Sequence, residues 1–345
     1  YILATFFYFV AFYVLATLLF QQEKQWYRWV TLAALGMLIA TTNAMVKHGL
    51  KGFTLKASYF IMQPFYKEHT AYGASLAFFV IAGFLLALHK YKGMKRFGWA
   101  AFAGYVLLAI FLSYTRGAYI GVFGALGFYL ILISWRRYRT LVILLLVGGV
   151  LAVGLNVQLY RINQSAQNKD SQNMFERLYS SLNVKTDISN MERINRWIAA
   201  YYMIEERPWF GFGPGAYTKQ YGAFQRERYM TPISTRQGFR GSTHNELLLA
   251  ASELGLPAMG LVVLLYLVSI LVAVRGFFTA PHPRVRLAYL LAICCLITYY
   301  IHGLVNNYMD QDKVNIPVYS CLALLVALDV FHRHRPAEPE ATLTS

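Results

Sequence analysis

Leu261-Val-Val-Leu-Leu-Tyr-Leu-Val-Ser-Ile-Leu-Val-Ala-Val274 holds no charged residue, and the apolar run around it reaches back to residue 244. A bilayer core of roughly 30 Å takes about 20 such residues per helix. Comparable runs recur near 1–20, 29–46, 71–89, 98–114, 117–134, 141–159, 287–305 and 314–331. With 57% hydrophobic and only 14% charged residues, the chain falls outside the soluble class, where about a quarter of residues are charged. Backbone polar groups in lipid must pair internally, so the class is all-α: a polytopic membrane protein of about nine transmembrane helices. The run 244–274 exceeds one crossing, which predicts first turns projecting beyond the bilayer or a tilted helix.

Charge between the runs sets the orientation. Alternate short connections carry fourteen Lys and Arg, among them Lys24, Lys90, Arg136, Arg275, Arg284 and Arg333, against six in the others. The richer set belongs in the cytoplasm. Residue 1 and the long segment 160–243 then lie outside, and the tail 332–345 inside. An outside start at Tyr1, with no cleavable leader visible, predicts upstream helices that this sequence does not include. The units expected are 1–159 with six spans, 160–243 as a large, mostly helical outer loop, 244–331 with three spans, and the tail.

The 32 Lys and Arg against 16 Asp and Glu fit anionic membrane lipids as partners, and nucleic acid does not fit bases scattered over many loops. Cys294, Cys295 and Cys321 all fall in apolar runs, without disulfide or zinc spacing.

The outer loop has internal order. From Met191 onward Ile194, Trp197, Ile198, Tyr201 and Tyr202 recur at helical spacing, with Asn190 available as N-cap and Pro208 as a stop. Arg193 and Arg196, one turn apart, suit an anion shared with the free N–H groups of the helix start; a solvated face is the alternative. Gly211-Phe-Gly-Pro-Gly215 has no preceding strand and carries a proline, so it is a tight turn bringing backbone close to the membrane surface rather than a dinucleotide site. Tyr217, Tyr221, Phe224 and Tyr229 read first as an interfacial aromatic belt and second as stacking platforms for sugars.

Ser242-Thr-His244-Asn245 stands where this arginine-rich segment, which also holds Arg207, Arg236 and Arg240, returns to apolar sequence. A titratable imidazole at a water–bilayer boundary suits proton transfer beside an anion, and a polar group at a helix end is the plainer alternative. Arg116 sits between two apolar runs with almost no loop around it. A charge there serves an ion pair or ligand, or snorkels to the interface. Asp310-Gln-Asp312 reads as a solvated loop in preference to a divalent cation site.

Together Thr115-Arg-Gly-Ala118, Arg193-Ile-Asn-Arg-Trp197 leading to Gly211-Phe-Gly-Pro-Gly215, and His244-Asn245 before Glu253-Leu-Gly255 resemble the O-antigen ligase and polymerase superfamily over roughly residues 98–275. Pro64-Phe-Tyr-Lys-Glu-His69 resembles a further segment of such proteins, while Ala258 stands where the pattern has another small residue. The resemblance implies a GT-C-like, inverting glycosyltransferase that needs no metal and no cofactor. It would work on the periplasmic side of the bacterial inner membrane, moving a glycan from undecaprenyl diphosphate to lipid A-core. By the same resemblance Arg116 and Arg193, with Arg196 beside them, bind the diphosphate, and His244 is the base. His69, Arg240, Asn245 and His302 are candidates for the cavity lining. The same chemistry with another acceptor gives an O-antigen polymerase or a protein O-oligosaccharyltransferase; a membrane transporter is the reading from a different class.

Overall fold

A computed structural model describes residues 2–135, 137, 140, 188–234, 241–309 and 312–332. The run at 141–159, the loop up to 187, Arg236, Arg240, Asp310 and the tail from 333 lie outside the described residues. Among the described residues the regular structure is helical, with no strand.

Among the described residues, seven helices are long and apolar enough to cross a bilayer: α2 (Glu23–Leu50), α3 (His69–Lys90), α4 (Gly93–Leu112), α5 (Arg116–Trp135), α9 (Leu256–Thr279), α10 (Pro283–Gly303) and α11 (Lys313–His332). The first apolar run forms a shorter helix, α1 (Phe6–Leu19), with a π-helical stretch at Val10–Leu15. Between α5 and α9 come α6 (Ile188–Glu206), α7 (Tyr217–Phe224) and α8 (Glu246–Leu254).

Burial sorts the spanning helices. The apolar windows of α3 and α10 are each 89% buried inside the protein, those of α4 and α9 only 22% and 11%. The first pair is therefore the packed centre, and the second presents its apolar faces to lipid. Helix α10 packs against α3, α9 and α11. Small residues let α5 approach it closely: a Cβ on Gly117 would lie 2.5 Å from the His302 ring, and one on Gly121 2.7 Å from the Thr298 carbonyl oxygen. Association of helices in lipid relies on such close backbone approach, because lipid tails are as apolar as leucine. The consequence for function is that the start of α5, where Arg116 lies, is held against the end of α10.

The run 244–274 is two helices. Gly255 takes φ +88° and separates α8 from α9, a conformation open to glycine because it lacks a Cβ. Pro257 then opens α9 in its first turn, where a missing N–H costs nothing. The expectation of one projecting or tilted helix is thereby corrected. Helix α6 also begins earlier than expected, at Ile188, so Asn190 lies inside it and is not its cap. Ile188 extends the apolar spacing one turn towards the N-terminus.

Candidate active site

Helix α6 has two faces with different tasks. Ala199, Ala200 and Met203 are fully buried against Tyr217 and Tyr221 of α7, which stack with ring centroids 5.0 Å apart. These tyrosines are the core of a small cluster formed with α6, neither an interfacial belt nor exposed sugar platforms. Their packing partners lie some twenty residues back, which is why their own context points elsewhere.

The Gly211–Gly215 turn approaches the α8–α9 corner. Phe212 and Gly213 donate backbone N–H bonds to the carbonyls of Ser252 and Glu253 (3.1 and 2.8 Å), and Leu256 N–H bonds to the Pro208 carbonyl (2.7 Å). The Glu253 carboxylate accepts from the N–H groups of Gly215 (2.8 Å) and Tyr217 (3.1 Å), fastening the start of α7. A Cβ on Gly211 would run into the Glu253–Leu254 peptide. Close approach is the purpose of this turn, as expected, but what it approaches is another part of the chain. The result is a rigid link between α6, which carries the arginines, and α8, which follows the histidine.

Arg196 is the centre of the polar cluster on the other face of α6. Its Nε donates to Glu192 Oε1 at 2.9 Å, and one Nη donates to the Ser242 carbonyl (3.3 Å) and meets His244 Nε2 (2.9 Å). Glu192 also accepts from Thr231 Oγ1 (2.8 Å) and from Ser234. Burial pushes the Glu192 carboxyl up, but bonds from Ser234, Thr231 and Arg196, with the Arg196 charge, outweigh it and hold the group below the usual carboxylate range. The guanidinium is therefore held by an ionised partner.

His244 sits at φ +50°, strained for a residue with a Cβ. The backbone is pinned on both sides: Ser242 bonds Asn307, and Asn245 Nδ2 donates to the Leu304 carbonyl (2.9 Å). Asn245 also caps α8, its Oδ1 accepting from Leu248 N–H at 2.9 Å. Asn245 is thus structural, fixing where α8 starts.

The imidazole bridges two elements. Its Nδ1 faces Asn306 Oδ1 at 3.2 Å while its Nε2 faces Arg196. Because a guanidinium can only donate, Nε2 is the acceptor and Nδ1 carries the proton. Asn306 accordingly presents its carbonyl to His244 and its amide to His302 Nε2 at 3.0 Å. Burial first, then the charges of Arg196 and Arg193, lower the His244 pKa from 6.5 to about 4. At neutral pH the ring is an uncharged base of defined tautomer.

Of the eight residues singled out from the sequence, seven share one end of the bundle. The Arg193 charge acts on His69, His302 and Tyr308 as well as on His244. Thr115 Oγ1 donates to the His69 carbonyl at 3.2 Å, joining the Thr-Arg-Gly-Ala turn to the start of α3. Arg116 is exposed, one residue before the Gly117 contact with His302. His302 is almost fully buried and meets His244 only by way of Asn306, whose amide faces its Nε2. Asn245 belongs to the scaffold, and Arg240 lies outside the described residues.

Three residues of the cluster were not anticipated. Asn306 follows the last apolar residues of α10, four positions after His302, and its polarity at a span end on the side of His244 was the available signal. Glu192, one position before Arg193, fits the common pattern of a carboxylate four residues before an arginine on a helix. Glu246 is buried, accepting from Tyr299 Oη (2.9 Å) and Tyr308 N–H (3.0 Å). Burial raises its pKa to about 7, against those bonds. It ties α8 to α10 and to the strip carrying Asn306.

An independent comparison finds that residues 101–263 match the family model described as O-antigen ligase. This match supports membership of the O-antigen ligase/polymerase superfamily. The matched segment contains Arg116, Arg193, Arg196 and His244, while His69, His302 and Asn306 fall outside it. No curated protein matches the chain. The apolar helices suit a multi-pass membrane protein, and the matched family implies a glycosyltransferase-like enzyme with lipid-linked glycan substrates in general.

Proposed function

We propose that this protein is an O-antigen ligase: it transfers a glycan from undecaprenyl diphosphate to a hydroxyl of lipid A-core on the periplasmic face of the bacterial inner membrane. The observation that carries this reading is His244, held as a neutral Nδ1–H imidazole beside two arginines of one helix.

In the reaction, the acceptor O–H gives its proton to His244 Nε2 as its oxygen bonds the anomeric carbon from the face opposite the diphosphate. The anomeric C–O bond to phosphate breaks, and its electrons leave with undecaprenyl diphosphate. Configuration at that carbon inverts. Arg193 and Arg196, with Arg116 from α5, stabilise charge accumulating on the leaving diphosphate, where fixed guanidinium groups in a poorly hydrated site are most effective. The low pKa of His244 keeps it unprotonated among those cations, so the same field that serves the leaving group keeps the base competent. The diphosphate already activates the sugar, so neither nucleotide nor metal enters the scheme.

An O-antigen polymerase or a protein O-oligosaccharyltransferase would use the same donor and the same residues. The test is reconstitution with lipid-linked glycan, offering lipid A-core, a second lipid-linked glycan and a pilin-like protein in parallel. Product on lipid A-core supports the ligase, product on another acceptor reassigns it, and no product on any overturns the transferase reading in favour of transport.

A further inference from the structure

We propose that Arg196 is a latch on the base, occupying the Nε2 lone pair of His244 until a bound diphosphate draws the guanidinium away. The proposal rests on the donor assignment above and concerns how the same site is regulated.

The geometry creates the need for such a step. In the Nδ1–H tautomer Nε2 is the ring's one basic position, and Arg196 Nη stands 2.9 Å from it. An imidazole whose lone pair already receives an N–H cannot accept a hydroxyl proton. For His244 to act, this contact has to break.

The surroundings allow it to break in one direction. The Arg196 Nε end is anchored by Glu192, itself held by Thr231 and Ser234, so the side chain has a fixed pivot. The Nη bonds at its far end go to two neutral acceptors, the Ser242 carbonyl and the imidazole. Charge-assisted bonds to phosphate are roughly twice as strong as neutral ones and suit the planar guanidinium, so a diphosphate outcompetes both. His244 does not follow the arginine. Asn306 retains Nδ1, and the Ser242–Asn307 and Asn245–Leu304 bonds retain the backbone.

Two consequences follow for the reaction. The donor binds before the acceptor is activated, and Asn306 is a positioning residue that keeps the freed lone pair on Nε2.

The test uses diethyl pyrocarbonate, which acylates an imidazole through an available lone pair. The full chain in lipid nanodiscs at neutral pH is treated with and without saturating inorganic pyrophosphate, and acylation of His244 is followed by peptide mass spectrometry. Binding of radiolabelled pyrophosphate is measured on the same preparation. The latch predicts slow acylation of the free protein and a several-fold acceleration with pyrophosphate. Arg196→Gln reacts at the fast rate from the start and shows no further acceleration. If pyrophosphate binds but His244 acylation in the unsubstituted protein stays constant or slows, the latch is overturned and the donor assignment stands. If pyrophosphate does not bind, both fall. The arm with the unsubstituted protein decides the matter even where Arg196→Gln does not fold.

Discussion

The acid limb of the pH–rate profile is the most quantitative consequence of the site. Burial, followed by the Arg196 and Arg193 charges, takes the His244 pKa from 6.5 to about 4, a bias of roughly 3 kcal/mol towards the neutral ring. A group with pKa about 4 is about 90% neutral at pH 5, whereas one at 6.5 is only about 3% neutral there. The predicted kcat/KM for transfer from lipid-linked glycan therefore stays near its plateau down to about pH 5 and falls below it, since this parameter reports groups of the free enzyme. The assay is best run on the nanodisc-reconstituted full chain with Glu246→Gln alongside, because Glu246 titrates near 7. An acid limb centred near 6.5 that persists in Glu246→Gln would refute the argument: His244 would then be solvated and remote from the arginines.

Glu246 itself gives a stability prediction of opposite sign. Its folded pKa of about 7 lies above the ordinary 4.5, so the folded state holds a proton that the unfolded chain has released, and stability falls as pH rises from 4.5 through 7. Glu246→Gln keeps acceptors for Tyr299 and Tyr308. Thermal unfolding should show no gain at pH 5 and a gain of up to about 3 kcal/mol at pH 8; equal gains at both would contradict a neutral buried carboxyl. Gly117→Ala places a Cβ 2.5 Å from the His302 ring and 3.2 Å from Val305. Overpacking of this kind costs about 1–3 kcal/mol, and transfer activity should fall with stability because His302 braces Asn306. Unchanged unfolding and activity would mean that α5 and α10 do not meet there.

The membrane class and the family were legible because they depend on properties local in the chain: long uncharged runs, and motifs such as Arg193-Ile-Asn-Arg-Trp197 whose order survives in one dimension. The helix break at Gly255-Leu-Pro257 was visible too, yet hydropathy alone merged α8 with α9, since both sides of the break are apolar. Tyr217 and Tyr221 were misread because aromatic residues between a turn and a membrane look interfacial until Ala199, Ala200 and Met203 are brought against them. Asn306 is the instructive omission. An asparagine after a span is ordinary, and its meaning comes from a histidine 62 positions earlier. His244 stood out in the sequence, whereas the groups that set its tautomer and meet its Nε2 depended on tertiary contacts.

The central claim is that His244 removes the acceptor proton beside an arginine-bound diphosphate. It is tested most directly by comparing His244→Ala with the unsubstituted protein in a purified transfer assay containing EDTA, with binding of the lipid-linked donor measured separately. Loss of a positioned general base predicts a fall in kcat of about 10²–10⁴-fold with donor affinity retained. A rate within a few fold of the unsubstituted protein would contradict the account.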